Sequence, residues 1–165
     1  MSTALPPRPR SAPTHTSHVA IVASIYNEQY TNALVQNCKD ELERILPNTQ
    51  LDIARVPGAF EIPVACEVLL SRPNPPAAII ALGLIIQGQT KHASLVAESV
   101  TSSLQTMAIR HKIPVIHEVI LVEDEKQAYA RCMGANLNRG REAARAAHTM
   151  AELFAAMNPA TPIKH

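Results

Sequence analysis

The sequence contains no tryptophan, and its only aromatics are three tyrosines and two phenylalanines, 3 % of 165 residues. With 47 % hydrophobic residues, the core must be aliphatic and alanine-rich. A dominant charge is also missing. The formal net charge is +1 at pH 7, which argues against the broad basic footprint of a nucleic-acid-binding protein. No apolar run reaches the ~18 residues of a membrane span. The opening stretch "MSTALPPRPRSAPTHTSH" lacks the apolar segment of a secretory signal. It is expected to be a flexible Pro/Arg-rich tail over 1–17, matched by a short tail over 158–165. Cys38, Cys66 and Cys132 are widely spaced and form no CxxC pair. Nothing in this spacing suggests a disulfide framework or a zinc site, and reduced thiols in the cytoplasm are expected. A chain of this length suits one domain, here 18–157.

What is present is alternation. "HVAIVAS" (18–24) is a short apolar strand-like run. From Glu28 to Leu46 the apolar residues Leu34, Val35, Cys38, Leu42, Ile45 and Leu46 recur at helical spacing until Pro47 and Asn48 stop the pattern. "LDIARV" (51–56) alternates as a strand. "FEIPVACEVLL" (60–70) opens a helix with Pro63 in its first turn, where a missing N–H costs little. After the proline-rich connector "SRPNPP" (71–76), "AAIIALGLII" (77–86) is apolar throughout, as a strand covered on both faces would be. Residues 92–110 return to helical spacing, "IPVIHEVILV" (113–122) supplies a fourth strand, and two helices follow over about 124–133 and 138–157. The order predicts an α/β fold, with a parallel sheet layered between helices. Ligands bind such sheets beyond the carboxyl ends of the strands. The loops that matter are therefore 24–28, 56–61, 86–92 and 122–124.

Those loops hold candidate chemistry. Tyr26 either stacks on a flat ligand ring or caps the core. In "VPGAFEIP" (56–63), Gly58 permits a close turn, and Glu61 either caps a helix N-terminus or accepts hydrogen bonds from ligand hydroxyls. In "GLIIQGQTKH" (83–92), Gly88, Gln89 and Thr90 precede a helix. Free amides and the helix dipole there suit a phosphate, although such a turn is also common on surfaces. The GxxxxGK[ST] phosphate loop is absent. His92 could exchange a proton near neutral pH. Arg131 and Arg139 flank "CMGANLN", either as bidentate phosphate ligands or as solvated helix-end charges. His111 and His117 are most simply structural or exposed.

Together, "VPGAFEIP", "GLIIQGQTKH", "PVI" (114–116) and "R…NRG" (131, 138–140) resemble the lumazine synthase family of riboflavin biosynthesis, over roughly residues 18 to 157. The resemblance implies a single-domain three-layer αβα sandwich with a four-stranded parallel, flavodoxin-like sheet. It implies condensation of 5-amino-6-(D-ribitylamino)uracil with 3,4-dihydroxy-2-butanone 4-phosphate, with loss of phosphate and two waters and with no metal or redox cofactor. By the same resemblance, Tyr26 stacks on the pyrimidine ring. Ala59, Phe60 and Glu61 hold the ribityl chain. The backbone of Leu84, Ile85 and Ile86 reads the uracil edge. Gln89, Thr90, Arg131 and Arg139 take the phosphate, and His92 transfers protons. His117 stands where many members have a phenylalanine that reaches into a neighbour's pocket. Gln87 replaces a frequent arginine, and Arg139 a frequent lysine.

The family's common unit is a homopentamer, and some members pack pentamers into icosahedral shells. The product passes to riboflavin synthase. The uninterrupted connection between Arg131 and Arg139 leans towards a shell; the long N-terminal tail and a connector without a basic residue lean against it. The competing reading is a non-catalytic paralogue that holds lumazine or flavin, or forms a shell, without turnover. Neither nucleic acid nor membrane is an expected partner.

Overall fold

The apolar runs become strands and the periodic runs become helices. The computed structural model describes residues 4–9 and 18–157; the rest of the expected tails, 1–3, 10–17 and 158–165, lies outside the described residues. In chain order the elements are β1 (His18–Ser24), α1 (Glu28–Ile45), β2 (Gln50–Val56), a 3-10 turn (Ala59–Glu61), α2 (Ile62–Leu70), β3 (Ala78–Ile86), α3 (His92–His111), β4 (Val115–Val122), α4 (Glu125–Cys132) and α5 (Arg139–Met157). The four strands form one sheet in the order β2-β1-β3-β4, all parallel. This is the α/β sandwich that the alternation of elements predicts.

Each strand residue chooses a helix layer by parity, because side chains alternate across a strand. Val19, Ile21, Ile80, Leu82 and Leu84 pack with Leu34, Leu42, Ala143 and Ala147 of α1 and α5. Ala20, Val22, Ile79 and Ala81 pack with Ile62, Cys66, Val100 and Leu104 of α2 and α3. With so few aromatics, close approach replaces bulk. At Gly140 an added Cβ would lie 2.4 Å from the carbonyl oxygen of Leu34 and 3.1 Å from the amide of Cys38. α5 therefore rests directly on the α1 backbone. All three cysteines are free and buried. Burial is the main cause raising their thiols, Cys66 and Cys132 to about 12 and Cys38 further.

Two boundaries differ from the sequence expectation for local reasons. The segment expected as one helix from residue 60 begins with the 3-10 turn, and Pro63 then sits in the first turn of α2. The fourth strand starts at Val115 rather than 113. Lys112 ends α3 in the left-handed region, φ 53°, and Pro114 has no N–H to pair. Its carbonyl still joins the sheet by accepting from Ile79 N–H at 2.9 Å.

The side chain of Glu41, on α1, is fully buried (0 % exposed). Arg8 donates to it through Nε at 2.7 Å and through a terminal nitrogen at 3.0 Å. Arg145 of α5 donates through Nε at 2.9 Å and also bonds the Pro6 carbonyl. The Arg8 bonds first, and those of Arg145 next, hold the Glu41 carboxyl below the usual carboxylate range, against the opposing effect of burial. A depressed carboxyl contributes stability that is present above its ordinary pKa and is lost as pH falls through the folded value. Glu41→Gln should therefore cost about 1–3 kcal/mol at neutral pH, and the variant should lose less stability than the parent on acidification. Urea denaturation across the acid range checks this; identical acid profiles for the two proteins would show that Glu41 is not the linked group.

Candidate active site

Three strand ends converge at one edge of the sheet. Beyond β1 the ladder continues for two more residues: Ile25 N–H donates to Val56 O at 2.7 Å and Tyr26 N–H to Pro57 O at 3.1 Å. Asn27 then adopts a left-handed conformation, φ 59°, which asparagine tolerates better than most residues. Its side-chain amide donates to Leu84 O at 2.9 Å. The first loop is thus bonded to the end of β3. The result is a cavity of about 360 Å³ lined by Tyr26, Asn27, Gly58 to Glu61, Leu84 to Ile86, Gly88, Thr90, His92, Ala93 and Val96.

Around this cavity Tyr26 stands at the surface, 73 % exposed, and Phe60 is 60 % exposed. Two exposed aromatic faces in a chain with five such rings suit a flat, partly apolar ligand. Ala59 is buried beneath them. The Glu61 carboxylate accepts from Gly58 N–H at 2.9 Å. Gly58 itself is extended, φ −137°, a conformation open to any residue. An added Cβ would lie 2.9 Å from Glu61 Oε2, the movable end of a side chain, so a larger residue here would shift the carboxylate. Glu61 keeps further lone pairs, since a carboxylate accepts more than one hydrogen bond.

The third loop is held from within. Gln87 donates through Nε2 to the carbonyls of Gly88 at 3.1 Å and Thr90 at 3.3 Å, and accepts from Ser94 Oγ at 3.3 Å. The glutamine thereby ties the loop to the first turns of α3. The backbone N–H of His92 donates to Thr90 Oγ1 at 3.4 Å, and the His92 side chain lines the cavity at the α3 N-terminus. The loop at 122–124 does not contribute; Asp124 caps α4 instead, accepting from Gln127 N–H at 2.8 Å.

Not every expected residue reaches this cavity. Gln89 is exposed on the same loop but is not among the lining residues. His117, in β4, shares a hydrogen bond with Thr101 Oγ1 of α3 at 2.8 Å. Arg131 and Arg139 line a second cavity of about 520 Å³ along the outer edge of β4, with Thr101, Glu118 and Glu142. Arg139 pairs with Glu142 Oε2 at 2.5 Å. The structure therefore brings Tyr26, Ala59, Phe60, Glu61, Leu84, Ile85, Ile86, Thr90 and His92 together, and sets His117, Arg131 and Arg139 apart from them. Sequence reasoning missed Asn27 and Glu118. Asn27 carried a usable signal, an asparagine directly before a helix; Glu118 carried none within its apolar strand.

A family model described as 6,7-dimethyl-8-ribityllumazine synthase matches residues 16–155. The chain belongs to the 6,7-dimethyl-8-ribityllumazine synthase family. Curated relatives of that name are similar along most of their length. The protein of Verminephrobacter eiseniae is 39 % identical over 142 residues, covering 86 % of this chain and 89 % of the relative. That of Thermosynechococcus vestitus is 38 % identical over 156 residues, covering 88 % and 86 %. That of Xylella fastidiosa is 37 % identical over 135 residues, covering 81 % and 87 %. In this lumazine synthase chain one cavity at the β1, β2 and β3 ends is lined by Gly58 to Glu61 from "PGAFEIP" (57–63) and by Gly88, Thr90 and His92 from the loop before α3.

Asn27 does two things that can be separated. Asn27→Ala loses the bond to Leu84 O and places a Cβ-bearing residue without a compensating polar group at positive φ, for a cost of about 2–3 kcal/mol. Asn27→Gly loses only the bond, about 1 kcal/mol. Denaturation of the three proteins gives the ranking, and an equal cost for alanine and glycine would remove the backbone contribution.

Proposed function

We propose that the chain catalyses the condensation of 5-amino-6-(D-ribitylamino)uracil with 3,4-dihydroxy-2-butanone 4-phosphate to 6,7-dimethyl-8-ribityllumazine, a transferase reaction that releases phosphate and two waters. The observation that carries this reading is the single cavity in which Tyr26, Glu61, the end of β3, Thr90 and His92 meet, in a chain of this family. Tyr26 stacks on the pyrimidine. Glu61, oriented by Gly58 N–H, accepts from ribityl hydroxyls beside Ala59 and Phe60. The backbone at Leu84, Ile85 and Ile86 reads the uracil edge. Gln89 and Thr90 receive the phosphate at the start of α3, where helix amides favour an anion.

The chemistry asks for proton movement more than for a strong nucleophile. Forming the Schiff base requires a proton on the departing carbonyl oxygen, and eliminating phosphate requires one removed from carbon. An imidazole can do both near neutral pH, and His92 is the imidazole in the cavity. Much of the remaining barrier is met by holding two substrates in register.

The phosphate-binding arginines and His117 stand on the far side of β4 from this cavity, and their separation supports assembly. In our reading His117, Arg131 and Arg139 of one copy complete the cavity of the next copy in a homopentamer. The exposed Val64, Val68 and Leu95 of α2 and α3 offer apolar surface for such a contact. The connection over residues 133–138 is compatible with shells built from these rings. The three buried free thiols suit a reducing compartment, and we place the enzyme in the cytoplasm, with its product passed to riboflavin synthase.

Two measurements test the reading. Product absorbance from the two purified substrates should appear with the parent protein, and His92→Ala should lower kcat by about 10- to 10⁴-fold with its assembly intact; unchanged turnover takes His92 out of the mechanism. Light scattering should give a mass near five chains or a multiple of it, and a monomer with full activity would rule out a shared site.

A further inference from the structure

Glu118 lies in the middle of β4, opposite Leu82 of β3, on the strand face that carries Ile116 and Ile120. It is half-buried and lines the same cavity as Arg131, Arg139 and Glu142. The groups that face it come from three helices: Cys38 from α1, Arg131 and Cys132 from α4, and Arg139 and Glu142 from α5. From α3 only the uncharged Ala97 and Thr101 reach the cavity. His117, next along the strand, lies on the opposite face, where it bonds Thr101. Both thiols are raised by burial and are neutral at physiological pH. Four charges remain. With both carboxyls ionised, the two guanidiniums are cancelled. With Glu118 protonated, one positive charge is left over. The Glu142 carboxylate is held by Arg139 at 2.5 Å.

We propose that Glu118 is a proton-operated gate on the Arg131–Arg139 anion site: a phosphate monoester enters beside the guanidiniums as the Glu118 carboxylate takes up one proton, and the proton leaves when phosphate leaves. The inference rests on reading Arg131 and Arg139 as the phosphate ligands. An ionised carboxylate in the same cavity repels a phosphate dianion at short range, where little water intervenes to screen the charges. A neutral carboxyl removes the repulsion and can donate a hydrogen bond. Burial is the largest influence on this carboxyl; Arg139 opposes it, Glu142 reinforces it and Arg131 opposes it, and together they leave it at about 7. Both states of the gate are therefore populated at physiological pH. Glu118 acts here as a positioning residue: it sets the charge that the arginines present and touches no reacting atom.

Sulfate is the probe, because it remains a dianion across the neutral range. In the parent enzyme its inhibition constant against the butanone phosphate should rise roughly tenfold from about pH 6.5 to about pH 8.5, as one linked proton requires. Glu118→Gln, which cannot ionise, should change less than about twofold across that range, and Glu118→Ala serves if the glutamine variant does not fold. A slope that persists in these variants assigns the pH dependence to a histidine and overturns the gate. Arg131→Ala separates the two readings. Sulfate inhibition that it leaves unchanged overturns the phosphate site and the gate with it. Inhibition that it weakens, with parallel parent and Glu118→Gln profiles, overturns the gate alone. Infrared difference spectra of the parent protein near about pH 8 report the proton directly. Sulfate should increase the carbonyl band of a protonated carboxyl, and no increase overturns the proposal.

Discussion

β3 is buried on both faces along nearly all its length and flanked on both edges, by β1 and β4. Its backbone has no water to bond with, so each N–H and C=O must find a partner in a neighbouring strand. Parallel neighbours demand crossovers long enough to hold helices, and two buried faces demand helices on both sides. The sandwich follows from this one desolvated strand. So does the position of the site. Parallel strands end on the same side, and the amide of Ile25, pairing with Val56 O just beyond β1, carries the ladder into the loops. Phe60, Leu84 and Tyr26 come together because the sheet ends together.

The two helix layers divide the labour. On the α2 and α3 side the strand ends meet exposed rings, a carboxylate with spare lone pairs and an imidazole. Such a lining suits a flat ligand with polar groups along its edge. On the β4 side the lining is charged and nearly balanced, which suits an anion that must bind and then depart. On the proposed reading, a site of backbone edges, one imidazole and paired charges would act mainly by orienting its substrates. The condensation needs no nucleophile from the protein, since the amine belongs to the substrate.

Much of this was legible in the sequence because the strongest signals are periodic. Leu34, Cys38 and Leu42 mark α1 by spacing alone, and the unbroken run from Ala78 to Ile86 marks a strand covered twice. The loop motifs gave the walls of the first cavity, since topology dictates which loops share an edge. What spacing does not encode is which face a residue takes relative to distant elements. His117 and Glu118 are adjacent in sequence yet point into different layers. Arg131 belongs to a family motif, but nothing in the chain says that it stands across β4 from His92. Long-range electrostatics were equally hidden. Arg8, Glu41 and Arg145 are far apart in sequence; α5 packing on α1 brings Arg145 to Glu41, and the N-terminal segment brings Arg8 to it. Gly58 was read as permitting a close turn, yet its φ of −137° is open to any residue.

The three cysteines acquire a use from where they lie. Cys38, Cys66 and Cys132 are enclosed in the two layers, on helices packed against the sheet, and their thiols are held in the unreactive protonated form. Disulfide exchange and alkylation proceed through the thiolate, so a thiol reagent has nothing to attack while the sandwich is closed. Each sulfur becomes reactive only when its own helix lifts away. Timed modification read by mass spectrometry would therefore act as a set of three internal clocks, two for the α1, α4 and α5 layer and one for the α2 layer. Synchronous clocks mean that the protein opens as one unit; a faster Cys66 clock means that the layer beside the candidate cavity breathes on its own.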